Sequence, residues 1–243
     1  MKFLVIGDSC LDVFVYGEVD RLAPEAPVPV IVPLFQKQNL GMASNVAENL
    51  RALGAEVNLI TNLEQIRKVR YVDSRYNQMI MRVDENDKCQ RISVDFNDLK
   101  EYDAIVVSDY CKGFLLEEDI QKIIQVASCP VFLDTKKNLG DWCKDVDFIK
   151  INNQEFQNNL KNIEKNPSLK KKLIITKGKN GCEYGGILYP TKEVPVKDVS
   201  GAGDTFIAGL VVKYHQTQNI IYAIQFAQQC TTIVVQKQGV ATV

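Results

Sequence analysis

Residues 196–215 read VKDVSGAGDTFIAGLVVKYH, and the rest of the chain is interpreted from this stretch. A short turn with two glycines, Gly201 and Gly203, runs directly into an apolar pattern typical of a buried helix. The first turn of a helix leaves backbone N–H groups without partners, and the helix dipole adds positive potential there. Because glycines allow an anion to approach those groups, Gly201, Ala202 and Gly203 are candidate donors to a phosphate.

The acid at this junction, Asp204, points to a particular chemistry. A carboxylate beside a bound phosphate is unfavourable, because the two negative charges repel. Its presence is explained if it removes the proton from a hydroxyl that then attacks the phosphorus. Phosphoryl transfer requires positioning, charge neutralisation and such a base. The alternative is that Asp204 only stabilises the helix dipole, and the pattern G-x-G-D taken alone favours that alternative.

The composition limits the class of protein. The chain has 243 residues, 46% of them hydrophobic, which is enough for one globular domain with a core. Its net charge of −1 gives no indication of a nucleic-acid partner. Seven cysteines without a C-x-x-C spacing argue against disulfides or a cysteine zinc site and favour a cytoplasmic location. The apolar runs are too short for a signal peptide or a membrane span, so we expect neither.

Outside the opening stretch, strand patterns alternate with helical ones. Continuous apolar runs such as FLVIG (3–7) and AIVVSD (104–109) are typical of a sheet that is covered on both faces. Helical periodicity predicts helices in residues 42–54, 116–127 and 219–239, the last ending at Gly239. This alternation predicts a mainly parallel α/β sheet.

Two β-rich segments, residues 13–34 and 68–84, interrupt the alternation. They are too short to bury a core of their own, so they predict a small β lid on one domain that spans residues 1–243. A turn is expected at 73–77. The alternating apolar residues and open edges of the lid predict a homodimer that joins lid to lid, each lid helping to close its partner's sugar site.

Segment 198–210, DVSGAGDTFIAGL, resembles the C-terminal signature of the ribokinase-like (PfkB) carbohydrate kinases. Four other segments follow in that family's order: GDSCLDVFVYG (7–17), LGMASNVAENLRALGA (40–55), INNQEF (151–156) and ITKGKNG (175–181). The resemblance implies a ribokinase-like three-layer α/β/α core, ATP as the phosphoryl donor and Mg²⁺ as a cofactor.

The resemblance also implies roles for single residues. Asp204 is expected to be the base, and Gly201, Ala202 and Gly203 to donate to the transferring phosphoryl group. Asn152 and Glu155, expected to organise Mg²⁺ through water, would without the resemblance be read as the start of a surface helix. The remaining expected contacts are Asp12, Gly41 and Asn45 for the sugar, and Thr176, Lys177, Gly178 and Gly239 for the nucleotide.

Within that family the chain is most similar to the kinases that act on heptose 7-phosphate. The similar segments are 20–30, 68–84, 108–115 and 234–243. The similarity implies conversion of heptose 7-phosphate to heptose 1,7-bisphosphate. Such a substrate needs positive charge away from the reacting hydroxyl, although basic residues also solubilise an edge sheet. The candidate cations are Arg70, Arg75 and Lys112, with Lys68 and Arg82 as further ones.

The chain departs from the family pattern in two places. Met42 stands where the family usually has the second glycine of a Gly-Gly pair. Family members normally have several dozen more residues where this chain has only residues 63–67, so the core is expected to be shortened. A nucleotidyltransferase domain, fused to the kinase in some relatives, is expected to be absent after Val243. The departures leave two alternatives open: a kinase for a neutral hexose or pentose, and a catalytically weak sugar- or nucleotide-binding relative.

Overall fold

The computed structural model describes residues 1–93, 96 and 99–243. Its strands form two sheets, one of eight strands and one of four. In chain order the strands are β1 (Lys2–Gly7), β2 (Ser9–Leu22), β3 (Pro29–Met42), β4 (Glu56–Thr61), β5 (Ile66–Asp73), β6 (Gln78–Glu85), β7 (Ala104–Asp109), β8 (Val131–Thr135), β9 (Phe148–Asn152), β10 (Leu173–Thr176), β11 (Cys182–Tyr184) and β12 (Ile187–Tyr189).

The helices lie between the strands of the larger sheet or after them. In chain order they are α1 (Ala43–Ala52), α2 (Glu117–Val126), α3 (Asn153–Lys165), α4 (Pro167–Lys170), α5 (Ala202–Thr217) and α6 (Ile220–Val234). Single 3₁₀ turns occur at Asp141–Cys143 and Gly178–Asn180. Within the described residues, none of these helices has the length and apolar character needed to cross a membrane.

The larger sheet is mainly parallel, as predicted. Its strand order is β12-β11-β10-β9-β8-β7-β1-β4, and the pairings from β10 to β4 are all parallel. The antiparallel hairpin β11–β12, which the sequence patterns did not predict, extends one edge. Parallel strands place their carboxyl ends at the same edge, so the loops that follow β7, β8 and β9 lie close together.

Helices cover both faces of this sheet, which confirms the predicted three layers. Phe3 and Val5 of β1 face a core built with α1, α5 and α6. Leu4 and Ile6 face the opposite core, which includes residues of α2 and α3. Side chains alternate between the faces of a strand, and all four of these are fully buried. The continuous apolar run of β1 therefore serves two cores at once.

Helix α5 is fixed deep in the first of these cores. Its residues from Asp204 to Val212 are buried. Gly209 brings α5 close to α6, because a Cβ at this position would lie 3.1 Å from the Cα of Ala227. The tight packing fixes the position of the first turn of α5, where the signature residues lie.

The smaller sheet is the predicted lid, in the order β3-β2-β5-β6. The predicted turn is present at 74–77, between β5 and β6. The lid is larger than predicted, because β2 already begins at Ser9 and β3 continues to Met42. Its strands therefore leave directly from β1 and enter α1 directly, so the lid and core share continuous backbone.

The predicted end of the last helix at Gly239 is wrong, since α6 ends at Val234. The next carbonyl, that of Val235, accepts hydrogen bonds from the amides of Lys197 and Asp198 at 2.8 and 3.3 Å. These bonds hold the chain against the segment that precedes α5 instead of allowing another helical turn. The amide of Gly239 consequently donates to Asp198 Oδ2 at 3.1 Å.

Candidate active site

Asp204 lies in the first turn of α5 and is only 3% exposed. The residue before the helix, Gly201, has a left-handed backbone with φ 77°. A Cβ on Gly201 would lie 2.6 Å from Nδ2 of Asn45, so both conformation and space require glycine there. The close approach brings Asn45 of α1 to the mouth of α5.

Two donors hold the carboxylate of Asp204. The hydroxyl of Tyr110, in the loop after β7, donates to Oδ1 at 2.6 Å. The amide of Asn45 donates to Oδ2 at 2.9 Å. Asn45 is itself oriented by Asn49, whose Nδ2 donates to its side-chain oxygen at 3.0 Å. Because each carboxylate oxygen has its own donor, the orientation of the carboxylate is fixed.

The pKa of Asp204 is raised to about 6. Burial is the main cause, and the negative charge of Asp134 adds to it. The hydrogen bonds from Tyr110 and Asn45 and the charge of Lys150 act in the opposite direction. A carboxylate with a pKa near the operating pH suits a general base.

Lys150 is a functional candidate that the sequence patterns missed. It lies on β9, is 5% exposed, and pairs at 2.5 Å with Asp134 on the neighbouring strand β8. Its Nζ is 2.9 Å from the place that a Cβ of Gly203 would occupy. The second signature glycine thus lets a buried cation reach the first turn of α5. Lysine inside the apolar run FIKI was the signal that could have revealed it.

The first turn of α5 therefore combines two sources of positive potential. The amide of Ala202 already donates to the carbonyl of Val199 at 3.2 Å. The amides of Gly203 and Asp204 belong to the helix end, whose N–H groups have no carbonyl one turn back. The ammonium of Lys150 lies beside Gly203. This arrangement can stabilise an anion next to the carboxylate of Asp204.

On the lid side, Asp12 and Arg70 form an ion pair in which both side chains are largely buried. Gly41 lies against this pair, since a Cβ there would be 2.1 Å from Asp12 Oδ2. The pKa of the Cys10 thiol is raised to about 12 by burial and further by the charges of Asp12 and Asp204. The structure thus places two of the predicted sugar contacts, Asp12 and Gly41, around the thiol of Cys10.

Two more of the predicted cations, Arg75 and Lys112, are already paired with carboxylates. Arg75, in the β5–β6 turn, contacts Asp20 at 2.5 Å and Asp73 at 3.3 Å. Lys112 contacts Asp87 at 2.6 Å. Neither is brought to Asp204 by the contacts within the described residues, so their binding of substrate stays a prediction.

Lys68 differs from these cations. Its Nζ lies 5.0 Å from the ring centroid of Tyr110 and 3.1 Å from the sulfur of Met42. Among the residues that the structure describes, no carboxylate lies within ion-pair distance of it. Lys68 therefore presents an available positive charge beside the residue that bonds to Asp204.

Met42 occupies its unusual position at a conformational cost. Its φ of 60° and ψ of −132° belong to a region that side chains rarely adopt, at about 1–3 kcal/mol. The side chain is 2% exposed and packs with Cys10 and Ile66, with Tyr110 against this cluster. The methionine therefore fills space at the base of the lid that a glycine would leave empty.

A pocket of about 380 Å³ lies on the other side of the first turn of α5. Of the predicted nucleotide contacts, Thr176 and Gly178 line it, while Lys177 and Gly239 do not. The Nζ of Lys177 donates to Glu183 at 2.5 Å, and a Cβ on Gly239 would face Asn39 and Phe14 at 3.8 Å. A nucleotide role for Lys177 and Gly239 stays a prediction. Other lining residues are Ala202, Gly203, Phe206 and Val235.

Asn152 and Glu155 form a reciprocal cap at the start of α3. Asn152 Oδ1 accepts from the amide of Glu155 at 2.9 Å, and Glu155 Oε2 accepts from the amide of Asn152 at 2.8 Å. Lys136 contacts the other oxygen of Glu155 at 2.5 Å. Within residues 1–93, 96 and 99–243, no cluster of His, Cys, Asp and Glu could hold a metal by itself. Each of these oxygens already accepts from a protein donor, and the expected contact of Asn152 and Glu155 with Mg²⁺ through water stays a prediction.

The raised pKa of Asp204 predicts a pH-dependent cost of folding. The folded protein holds the proton of Asp204 more tightly, with a pKa of about 6 against 3.8 for a free side chain. The proton on Asp204 therefore stabilises the folded state. This contribution is fully present below pH 3.8 and is lost as the pH rises through 6. The free energy of unfolding of wild type, relative to Asp204→Asn, should therefore fall by about 2 kcal/mol between pH 4 and pH 7.

Urea denaturation at four pH values measures this difference. Asp145→Asn, at an exposed position, controls for the loss of one negative charge. Parallel stability curves for wild type and Asp204→Asn would contradict a raised pKa at Asp204.

Sequence comparison identifies the family. Residues 68–243 match the model for pfkB family carbohydrate kinases. The bifunctional protein HldE of a Nitratiruptor species is 32% identical over 290 residues, and that of Helicobacter pylori (strain HPAG1) is 31% identical over 295. Both alignments cover 99% of this chain but only 63% and 64% of the relatives, so the chain spans less than two thirds of their length.

Solved structures share the fold at low sequence identity. A ribokinase from Thermotoga maritima has a TM-score of 0.75 at 17% identity, covering 98% of this chain and 94% of its own. Phosphofructokinase-2 from Escherichia coli also has a TM-score of 0.75, at 12% identity, covering 98% and 93%. The predicted ribokinase-like fold is confirmed, and the chain belongs to the PfkB family of carbohydrate kinases.

Proposed function

We propose that this sugar kinase transfers the γ-phosphoryl group of ATP to the anomeric hydroxyl of heptose 7-phosphate, giving heptose 1,7-bisphosphate. The observation that carries the transfer is the buried carboxylate of Asp204 beside the positive first turn of α5. The heptose acceptor follows from the resemblance of the lid and terminal segments to heptose 7-phosphate kinases. ATP as donor is supported by a family neighbour, Arabidopsis thaliana ribokinase, whose structure contains ribose and ATP.

Each step of the transfer has a residue to perform it. Asp204 removes the proton from the sugar hydroxyl, whose oxygen forms a bond to the γ-phosphorus while the bond to the ADP oxygen breaks. The amides of Gly201, Ala202 and Gly203 and the ammonium of Lys150 stabilise the charge on the transferring group. Asp12 and Gly41 of the lid and Asn45 of α1 orient the sugar. Mg²⁺ bound with ATP would neutralise phosphate charge, and Asn152 and Glu155 would hold it through water.

The proposed site for the adenine nucleotide is the pocket beside α5. Its lining includes apolar side chains from α5 and the end of α6, such as Phe206 and Val235. Thr176 and Gly178 close the pocket on the β10 side. The pocket adjoins Ala202 and Gly203, so a nucleotide in it would direct its phosphates to the first turn of α5.

An ADP-release assay over a panel of sugars and sugar phosphates tests the proposal. Heptose 7-phosphate is expected to give the highest kcat/KM. A higher value with a neutral hexose or pentose would contradict the heptose assignment and favour the second candidate function. That candidate is supported by Met42, which fills space at the lid base, and by the carboxylates that already pair with Arg75 and Lys112.

Asp204→Asn tests the base directly. The asparagine keeps the size of the side chain but cannot accept the proton, so kcat should fall by about 10²–10⁴. Affinity for ATP should hold or improve, because a negative charge near the phosphates is removed. Steady-state kinetics and calorimetric ATP titration measure both. Asp145→Asn is the charge control, and an Asp204→Asn variant that keeps a tenth of wild-type turnover would contradict the assignment.

Lys68→Ala tests the recognition of a substrate phosphate. If Lys68 contacts the phosphate of the acceptor, its loss should cost about 1.5–3 kcal/mol, which lowers kcat/KM for a sugar phosphate by a factor of about 10–150. A neutral sugar should be affected little. Arg67→Ala is the matched control, since it removes the neighbouring cation of β5, which already pairs with Glu85 at 2.8 Å. Equal losses on charged and neutral sugars would contradict the phosphate contact.

We also propose a homodimer that joins lid to lid. The lid exposes several large apolar side chains, which favours burial against a second copy. Those at least 47% exposed include Val32, Leu34, Phe35, Leu40, Met79 and Met81. Light scattering should give a dimer at high micromolar concentration, and Met81→Asp should give a monomer. Leu188→Asp, on β12, is the control for adding a charge at another exposed apolar position, and a monomeric wild type would contradict the proposal.

A further inference from the structure

Tyr110 has no part in the proposed transfer, yet it bonds to the base. It belongs to the segment SDYCKGFL, and its hydroxyl lies 2.6 Å from Asp204 Oδ1. Burial raises the pKa of Tyr110 well above its ordinary value, and the charges of Asp204 and Asp134 raise it further. The phenol therefore stays protonated and acts as a hydrogen-bond donor at neutral pH.

The loop that carries Tyr110 is fixed by buried carboxylates. Asp8 Oδ2 accepts from the amide of Tyr110 at 2.6 Å, and Asp8 Oδ1 accepts from that of Phe114 at 3.3 Å. Asp109 Oδ1 accepts from the amide of Cys111 at 3.1 Å and pairs with Lys137 at 2.9 Å. These contacts fix the backbone on both sides of the tyrosine.

The ring of Tyr110 is fixed as well. Lys68 of the lid lies 5.0 Å from its centroid, and Lys136 of the core lies 5.1 Å from it. Both distances are within the range of a cation–π contact. The ring also packs on the cluster that contains Met42. With backbone and ring both held, the hydroxyl has a defined place beside Asp204.

We propose that Tyr110 is a positioning residue for the base: together with Asn45 it holds Asp204 ionised and turned toward the acceptor hydroxyl. An ionised carboxylate accepts from both donors, whereas a protonated one must use one oxygen as a donor and lose an acceptor. The inference rests on the proposed role of Asp204 in catalysis. It adds a residue that sets the pH range in which that role is possible.

The other groups that face Asp204 remain unchanged when only this hydroxyl is removed. Lys150 of β9 favours the ionised form, and Asp134 of β8 opposes it. Lys136 follows β8 and interacts with the charge of Asp204. Cys10 of β2 lies near enough for its pKa to be raised by that charge, after the larger effect of burial. Loss of the Tyr110 hydroxyl therefore removes one hydrogen-bond donor to Asp204 and leaves the charges around Asp204 unchanged.

Tyr110→Phe tests the inference, because it deletes the hydroxyl and keeps the ring that contacts Lys68 and Lys136. We expect the pKa of Asp204 to rise by about one unit. Carbon-13 NMR of labelled aspartate carboxyls measures this in the intact chain without any substrate. The resonance missing from Asp204→Asn identifies Asp204, and Tyr102→Phe is the control for loss of a tyrosine hydroxyl elsewhere.

The acid limb of kcat against pH provides a second measurement. With this shift the ionised fraction at pH 6 falls from about a half to about a tenth, so turnover there should drop about fivefold. At pH 8 the ionisation effect on turnover should be small. Tyr110→Leu, a second variant without the hydroxyl, should move both measurements in the same direction.

The outcomes separate the two proposals. An unchanged pKa of Asp204 in Tyr110→Phe or Tyr110→Leu would overturn the role of Tyr110, whatever the activity. A uniform loss of turnover at all pH values, without movement of the acid limb, would overturn it as well. The pKa of Asp204 could shift in the Tyr110 variants although the protein phosphorylates no sugar. That result would support the positioning role of Tyr110 and contradict the proposed kinase reaction.

Discussion

The central constraint of this structure is a carboxylate kept almost entirely out of water at the start of a helix. A buried ionised group is costly unless donors and opposite charges surround it. Asp204 obtains them from α1 through Asn45, from the loop after β7 through Tyr110, and from β9 through Lys150. The convergence of these three elements on one carboxylate determines how the cores, the loops and the glycine turn are arranged.

The signature glycines are explained by this convergence. Gly201 admits Asn45, and Gly203 admits Lys150, in each case at a distance that a Cβ would obstruct. Gly201 thus makes room for the residue that hydrogen-bonds to the base, and Gly203 makes room for the cation that can attract an anion. The lid is connected to the same place, because β3 runs into α1 without a linker. A displacement of β3 would therefore be transmitted to Asn45 and from there to Asp204.

Much of the fold could be predicted from the sequence, because its signals are local. Continuous apolar runs predicted the parallel strands, and turn residues predicted the lid hairpin at 74–77. The end of α6 could not be predicted, since it depends on hydrogen bonds from Lys197 and Asp198 to the carbonyl of Val235. The β11–β12 hairpin was missed because its strands are only three residues long, too short for a clear pattern.

The candidate site was predictable only in part, because some of its residues are contiguous in the sequence and others meet only in the fold. Asp204 and its glycines form one contiguous motif, whereas Tyr110 reaches Asp204 across 94 positions of sequence. Lys150 is paired to Asp134 by the register of β8 and β9, which a single sequence does not reveal. Arg70, Arg75 and Lys112 likewise each have a carboxylate partner more than 20 positions away in the chain. Residue type identified the cations, but only the fold distinguishes Lys68 from those already paired.

Phosphorus-31 NMR tests most directly the claim that the residues around Asp204 move a phosphoryl group from ATP to a sugar. The sample contains the protein, ATP, Mg²⁺ and heptose 7-phosphate, and the spectra are followed with time. A new sugar phosphate resonance that grows in step with ADP is the predicted result. ADP that forms together with inorganic phosphate alone, or no transfer to any sugar of the panel, would contradict the account.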